Sequence, residues 1–137
     1  MKKKIYLAAP WFSPKQAAIY NQVIENLRAN PNYELMLPRD FVMENGYTMD
    51  NFDWACHVFE HDTMLLDMAD IVYGIDWGFE SDAGTAWELG YAYAKGIPVV
   101  IVRPQEVKLA SLMLMGGSIA AVDEKLEYRP MCSVEYK

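Results

Sequence analysis

At 137 residues, 53% hydrophobic and 23% charged, the chain holds enough material for one well-filled core and is expected to be a single domain over 1–137. A formal net charge of −7 with no basic stripe argues against a nucleic-acid polymer as partner, which like charge would repel, and favours a small, neutral, hydroxyl-rich one. The longest apolar run, Ile97 to Val102, is far too short to cross a bilayer, and Lys2 to Lys4 are not followed by a signal-peptide apolar region, so a cytoplasmic protein without a membrane partner is expected.

The first predicted strand, Lys4 to Ala9, is β-prone and apolar, and its carboxyl end delivers Ala8, Ala9, Pro10, Trp11 and Phe12 into a loop. Small residues followed by aromatics suit the floor and wall of a pocket, with Trp11 and Phe12 as cover for the core edge the equal alternative. Ser13-Pro14-Lys15-Gln16 carries a helix start with a capping box. Ala17, Ile19, Tyr20, Val23, Ile24 and Leu27 follow at helical spacing until Asn30-Pro31-Asn32 stops the run. Tyr33 to Leu37 reads as a second strand, and Arg39 to Asp50 as a long polar loop of the kind that covers a site.

Asn51 or Asp53 caps a second predicted helix with Trp54, Val58, Met64, Leu65 and Met68 as its apolar positions. Asp62 lies in this helix between His61 and Thr63. His57 and His61 have the i, i+4 spacing of metal ligands, but no neighbouring acid or third ligand completes a set, and no metal or other cofactor is expected. Cys56 and Cys132 have no metal spacing and read as free thiols rather than a disulfide.

Ala69 to Ile75 is a third strand, followed by the stretch Ser81 to Ala94, SDAGTAWELGYAYA. An apolar run, then acids and a glycine, then a helical pattern containing Glu88, places a carboxylate near the carboxyl end of a strand, where open α/β sheets bind ligands. Asp82 begins that helix and Glu88 falls in its second turn. The positive helix end is expected to favour the ionised form of such acids. Lys95-Gly96 closes the helix, Ile97 to Val102 reads as a doubly buried strand, Leu109 to Met115 as a short apolar segment broken by Gly116-Gly117, and Ser118 to Val122 as a last strand. Strands alternating with helices predict an α/β fold, a doubly wound parallel sheet of about five strands with helices on both faces.

Asp62, Asp82 and Glu88 form the acidic constellation. With no GxGxxG or Walker-type loop, dinucleotides and nucleoside triphosphates are disfavoured. Carboxylate chemistry at a carbon bearing a leaving group, the pattern of glycoside cleavage, fits the acids.

KIYLAAPWFS, the segment from Asp62 through ADIVYGID, DAGTAWELGYA and SLMLMGGS together resemble the nucleoside 2-deoxyribosyltransferases, in order and spacing over nearly the whole chain. The resemblance implies a flavodoxin-like fold and exchange of purine or pyrimidine bases on 2-deoxyribose through a covalent glycosyl-enzyme, with deoxyribonucleosides and free nucleobases as partners. It makes Glu88 the nucleophile, Tyr6 the residue that orients it, Asp62 the acid and base toward the departing and incoming bases, and Asp82 the ligand of a sugar hydroxyl, with Gly84 allowing close approach. Asp40 and Asn45 become candidates for the base pocket. Ser111, where family members usually have Asn, is expected to reach the sugar's 5′ end in a neighbouring subunit's site, and Met113 goes with it. Met113, Leu114 and Met115 suit either an interface or a core.

The resemblance also implies a homo-oligomer, dimer or hexamer, with shared active sites. Lys137 follows Tyr136 where the family often ends on a tyrosine carboxylate. Serines near position 111 occur in the related 2-deoxynucleoside 5-monophosphate N-hydrolases, which makes hydrolysis the alternative. A carboxylate at position 82 opposes a phosphate by like charge. A non-catalytic nucleotide-binding module on the same fold is the third reading, and it would not require Tyr6, Asp62 and Glu88 together.

Overall fold

A computed structural model describes residues 1–41 and 52–130. Local chemistry sets the first helix as predicted. Ser13 Oγ accepts from the Gln16 amide at 3.2 Å, the Gln16 side chain accepts from the Ser13 amide at 3.2 Å, and Pro14 occupies the first position of α1 (Pro14–Arg28). Two of the free donors of that helix start are satisfied reciprocally. The other elements are β1 (Lys3–Ala8), β2 (Tyr33–Met36), α2 (Phe52–Met68), β3 (Ile71–Ile75), α3 (Ala83–Ala94), β4 (Val99–Val102), α4 (Leu112–Gly116) and β5 (Ala120–Val122). Asp53 lies inside the first turn of α2 rather than at its cap, while Asn51 and the turn signal Asn45-Gly46 lie outside the described residues.

The five strands form one sheet in the order β2-β1-β3-β4-β5, every pairing parallel. This is the flavodoxin-like order 2-1-3-4-5, and its strand order reverses between β1 and β3. The period of two along each strand decides the two cores. Ile5, Leu7, Ile75 and Val102 point to one face and pack with Tyr20, Val23, Ile24 and Leu27 of α1. Tyr6, Ala8, Val72, Val99 and Ile101 point to the other and pack with Leu66 of α2 and with Leu89 and Ala92 of α3. Helices therefore cover both faces, and β4 is buried along its whole length, as its β-branched run predicted.

Gly74 brings α3 against the sheet. A Cβ on it would lie 2.5 Å from the Leu89 side chain, so only glycine lets that buried leucine rest on β3. On the outer side, Phe59 of α2 meets Trp87 edge-on at 5.1 Å between ring centroids, and Trp87 stacks on Tyr91 at 5.3 Å, which ties α2 to α3. Among the described residues no helix is long and apolar enough to cross a membrane.

Candidate active site

The carboxyl ends of β1 and β3 flank the point where the sheet reverses its order, the place where a ligand crevice opens in folds of this type. Tyr6 lies two residues before the end of β1, is fully buried, and points to the α2–α3 face. Its hydroxyl donates a hydrogen bond to Glu88 Oε2. Glu88 reaches it because Leu89, the next residue, is seated on Gly74, and Gly74 pairs with Ala8 in the sheet.

Burial pushes the Glu88 carboxyl up from 4.5 to about 8. This corrects the expectation of an ionised carboxylate at the head of a helix. Glu88 is the sixth residue of α3, and the favourable field of a helix end fades within its first turn, whereas desolvation acts at full strength.

Asp62 sits one helical turn before Leu66, the buried residue of α2, which sets it on the stripe of α2 that packs toward β1 and α3. It is only partly exposed. Burial raises its proton affinity above the usual aspartate value, and the adjacent His61, with Nδ1 3.0 Å from Asp62 Oδ1, pulls in the opposite direction. The His61 ring also lies against Phe41 at 4.4 Å. His61 is thus turned to a carboxylate. Among the described residues no group of three or more metal-ligating side chains gathers.

Asp82 is the N-cap of α3. Its Oδ2 accepts from the Thr85 amide at 2.8 Å and from the Thr85 hydroxyl at 3.0 Å, so one carboxylate oxygen is committed to starting the helix. Gly84 is exposed, and a Cβ on it would meet only Asp82 Oδ2, at 3.2 Å. Ala8 is buried under the α2–α3 face beside Tyr6. Trp11 is half-buried and stacks obliquely on Tyr20 at 5.5 Å, which makes it an edge of the α1-side core, while Phe12 is 72% exposed. Asp40 is exposed beside Arg39, and Asn45 lies outside the described residues.

Ser111 and Met113 stand apart from Glu88. They line a cavity of about 440 Å³ with Ser81, Leu89, Gly90 and Tyr93. At 100° per residue, Ala86, Gly90 and Tyr93 mark one flank of α3, and Glu88 lies nearly opposite to it, between the sheet and the side that carries Trp87 and Tyr91. Ser111 caps α4 by position, but its hydroxyl makes no capping bond, and Met113 is 85% exposed. One chain thus brings Tyr6 and Glu88 together and presents Ser111 and Met113 on the cavity side of α3.

Asp76 was missed by sequence reasoning. It is fully buried at the end of β3 and binds both the loop before Asp82 and the amide of Ser111. An acid directly after an apolar strand at the ligand-binding end of a parallel sheet was the available signal. Cys56 is a free thiol; Cys132, Tyr136 and Lys137 lie outside the described residues.

Known proteins resemble this chain over most of its length. A nucleoside deoxyribosyltransferase of Lactobacillus leichmannii is 32% identical over 128 residues, 87% of this chain and 82% of that protein. Another from Lactobacillus johnsonii is 28% identical over 82% of this chain and 81% of its own length. A solved 2-deoxyribosyltransferase structure from Bacillus psychrosaccharolyticus superposes with a TM-score of 0.74 at 30% identity, covering 98% of this chain and 91% of that one. The family profile described as nucleoside 2-deoxyribosyltransferase matches residues 5–129. With that span and the parallel sheet that seats Tyr6 against Glu88, the chain belongs to the nucleoside 2-deoxyribosyltransferase family.

Proposed function

We propose that this protein transfers 2-deoxyribose between purine or pyrimidine bases through a glycosyl ester on Glu88, as one catalytic domain that needs no cofactor. The contact that carries the reading is the Tyr6 hydroxyl on a half-buried Glu88 carboxyl at the carboxyl end of β1. In the first step a Glu88 oxygen bonds to C1′ as the C1′–N bond breaks, and the departing base takes the Asp62 proton with the released electron pair. In the second, an incoming base gives its N–H proton to Asp62 and attacks C1′, and Glu88 leaves as a carboxylate. Two displacements retain configuration and give ping-pong kinetics.

Positive charge builds on the sugar in both transition states, so a carboxylate beside C1′ acts on the atom where charge develops. With its value pushed up to about 8, Glu88 holds its proton more readily than a solvated glutamate, and the ionised form is the reactive one. The Tyr6 hydrogen bond favours that form and fixes its direction.

The substrate is read as an unphosphorylated nucleoside, because Asp82 at the head of α3 opposes a 5′-phosphate by like charge. The monophosphate hydrolase reading has one observation in its favour, the shared placement of Ser81 and Ser111 on one cavity. We read the active unit as a homo-oligomer, dimer or hexamer, in which Ser111 and Met113 serve a neighbouring copy's site. Their separation from Glu88 supports this, as do the exposed Tyr93, Leu112 and Met113 that line that cavity. A cytoplasmic location goes with this reading.

Incubation with deoxyinosine and free adenine tests the function. Deoxyadenosine with little free deoxyribose supports transfer. Free sugar released without an acceptor, and faster from deoxyinosine monophosphate, would replace transfer with hydrolysis, and no turnover would leave a binding module. Glu88→Ala should abolish exchange, and near-normal activity in that variant would remove Glu88 from the mechanism.

A further inference from the structure

We propose that Asp76 is a positioning residue that locks the loop leading to Asp82 and the segment carrying Ser111 into one unit, and so sets recognition of the sugar's 5′-hydroxyl. The inference rests on the transferase reading for the identity of that hydroxyl.

Asp76 directly follows β3 and is fully buried. Its amide donates to the Val102 carbonyl at 2.9 Å, so its backbone is held by the sheet. Its carboxylate reaches in two directions. Oδ1 accepts from the Gly78 amide at 2.8 Å and from the Ser81 hydroxyl at 2.9 Å, which fixes the turn that ends at Asp82. Oδ2 accepts from the Ser111 amide at 3.0 Å.

A second contact docks the same two segments. Gly78 has φ +66°, and a Cβ there would collide with the Leu109 carbonyl oxygen. The turn and the 109–111 segment are therefore in backbone contact at Gly78 and cross-linked through Asp76. A buried side chain whose hydrogen-bonding capacity is spent on the two segments carrying candidate sugar ligands does more than satisfy itself. It transmits the rigidity of β3 to both. The Ser111 hydroxyl makes no capping bond, so its direction depends on where its backbone is held, and Asp76 holds that backbone.

Asp76→Asn keeps the size and replaces one acceptor by a donor. Whichever way the amide turns, its NH₂ group faces an N–H, either that of Ser111 or that of Gly78, and one tie is lost. The readout is the ratio of kcat/KM for base exchange with deoxyinosine to that with 2′,5′-dideoxyinosine, adenine being the acceptor. The wild type should prefer the 5′-hydroxyl. In Asp76→Asn that preference should fall by about tenfold, the loss of roughly one hydrogen bond, chiefly through KM for deoxyinosine. A merely structural role would lower both donors alike, and an unchanged ratio in a folded variant overturns the proposal.

Ser81→Ala, which removes one donor to Oδ1, should move the ratio the same way by about threefold. It serves if Asp76→Asn does not fold, and an unchanged ratio there counts equally against the proposal. Amide hydrogen exchange gives an independent measure. In either variant the 77–82 and 109–113 segments should lose protection together, while α1 keeps its own. If the wild type exchanges no bases, the functional reading fails on its own. The protection data then decide the cross-link, and unchanged protection at Ser111 overturns it.

Discussion

The protonation of Glu88 makes the protein's stability depend on pH in a definite direction. Below pH 4.5 the residue is protonated in both folded and unfolded chains and contributes nothing. Between 4.5 and about 8 the unfolded chain releases the proton while the folded chain keeps it, so unfolding gains ground with each pH unit, and above about 8 the penalty is complete. At about 1.4 kcal/mol per pH unit, the full range is worth on the order of 5 kcal/mol, an upper bound because water has partial access to the site. Half of that shifts a urea midpoint by about 1 M for an ordinary denaturant slope.

Glu88→Gln keeps the shape and the acceptor for Tyr6 but cannot ionise. Urea titrations at intervals from pH 5 to 8.5 should show the wild type losing stability relative to Glu88→Gln as pH rises. Parallel curves for the two proteins would refute the desolvation argument. The same protonation predicts that kcat/KM of the wild type climbs as pH rises toward 8, since that parameter reports the free enzyme.

Gly74→Ala places a methyl group into the Leu89 side chain and should destabilise the fold by about 1–3 kcal/mol. It should also lower exchange more than stability alone explains, because α3 moves Glu88 away from Tyr6; thermal melts and rates on the same preparation check both. His61→Ala removes the contact that holds down the proton affinity of Asp62. Asp62 should then stay protonated to higher pH, and the alkaline limb of kcat in a pH–rate profile should move upward.

Much of the architecture was legible because it rests on local pattern. The capping box at Ser13-Pro14-Lys15-Gln16 appears as read, and β4 is buried on both faces as its run of β-branched residues required. The site was legible in its chemical groups. Tyr6 and Glu88 are far apart in sequence, and the resemblance to the family placed them in one site where periodicity could not. Their contact depends on β1 and α3 sharing one face of the sheet. Gly74 carried no signal in the sequence, since nothing in its neighbours along the chain reports that a helix lies over it.

The amino-acid sequence alone determined the alternation of strands and helices, the capping box at Ser13 and the acids available for chemistry, since each follows from side-chain period and local hydrogen bonding. Three matters were decided only by the tertiary structure: the protonation of Glu88, the side of α3 on which Ser111 and Met113 lie, and the cross-linking role of Asp76. Each depends on what a group is enclosed by rather than what it is next to. Desolvation and long-range hydrogen bonds exist only once the sheet has brought distant segments together.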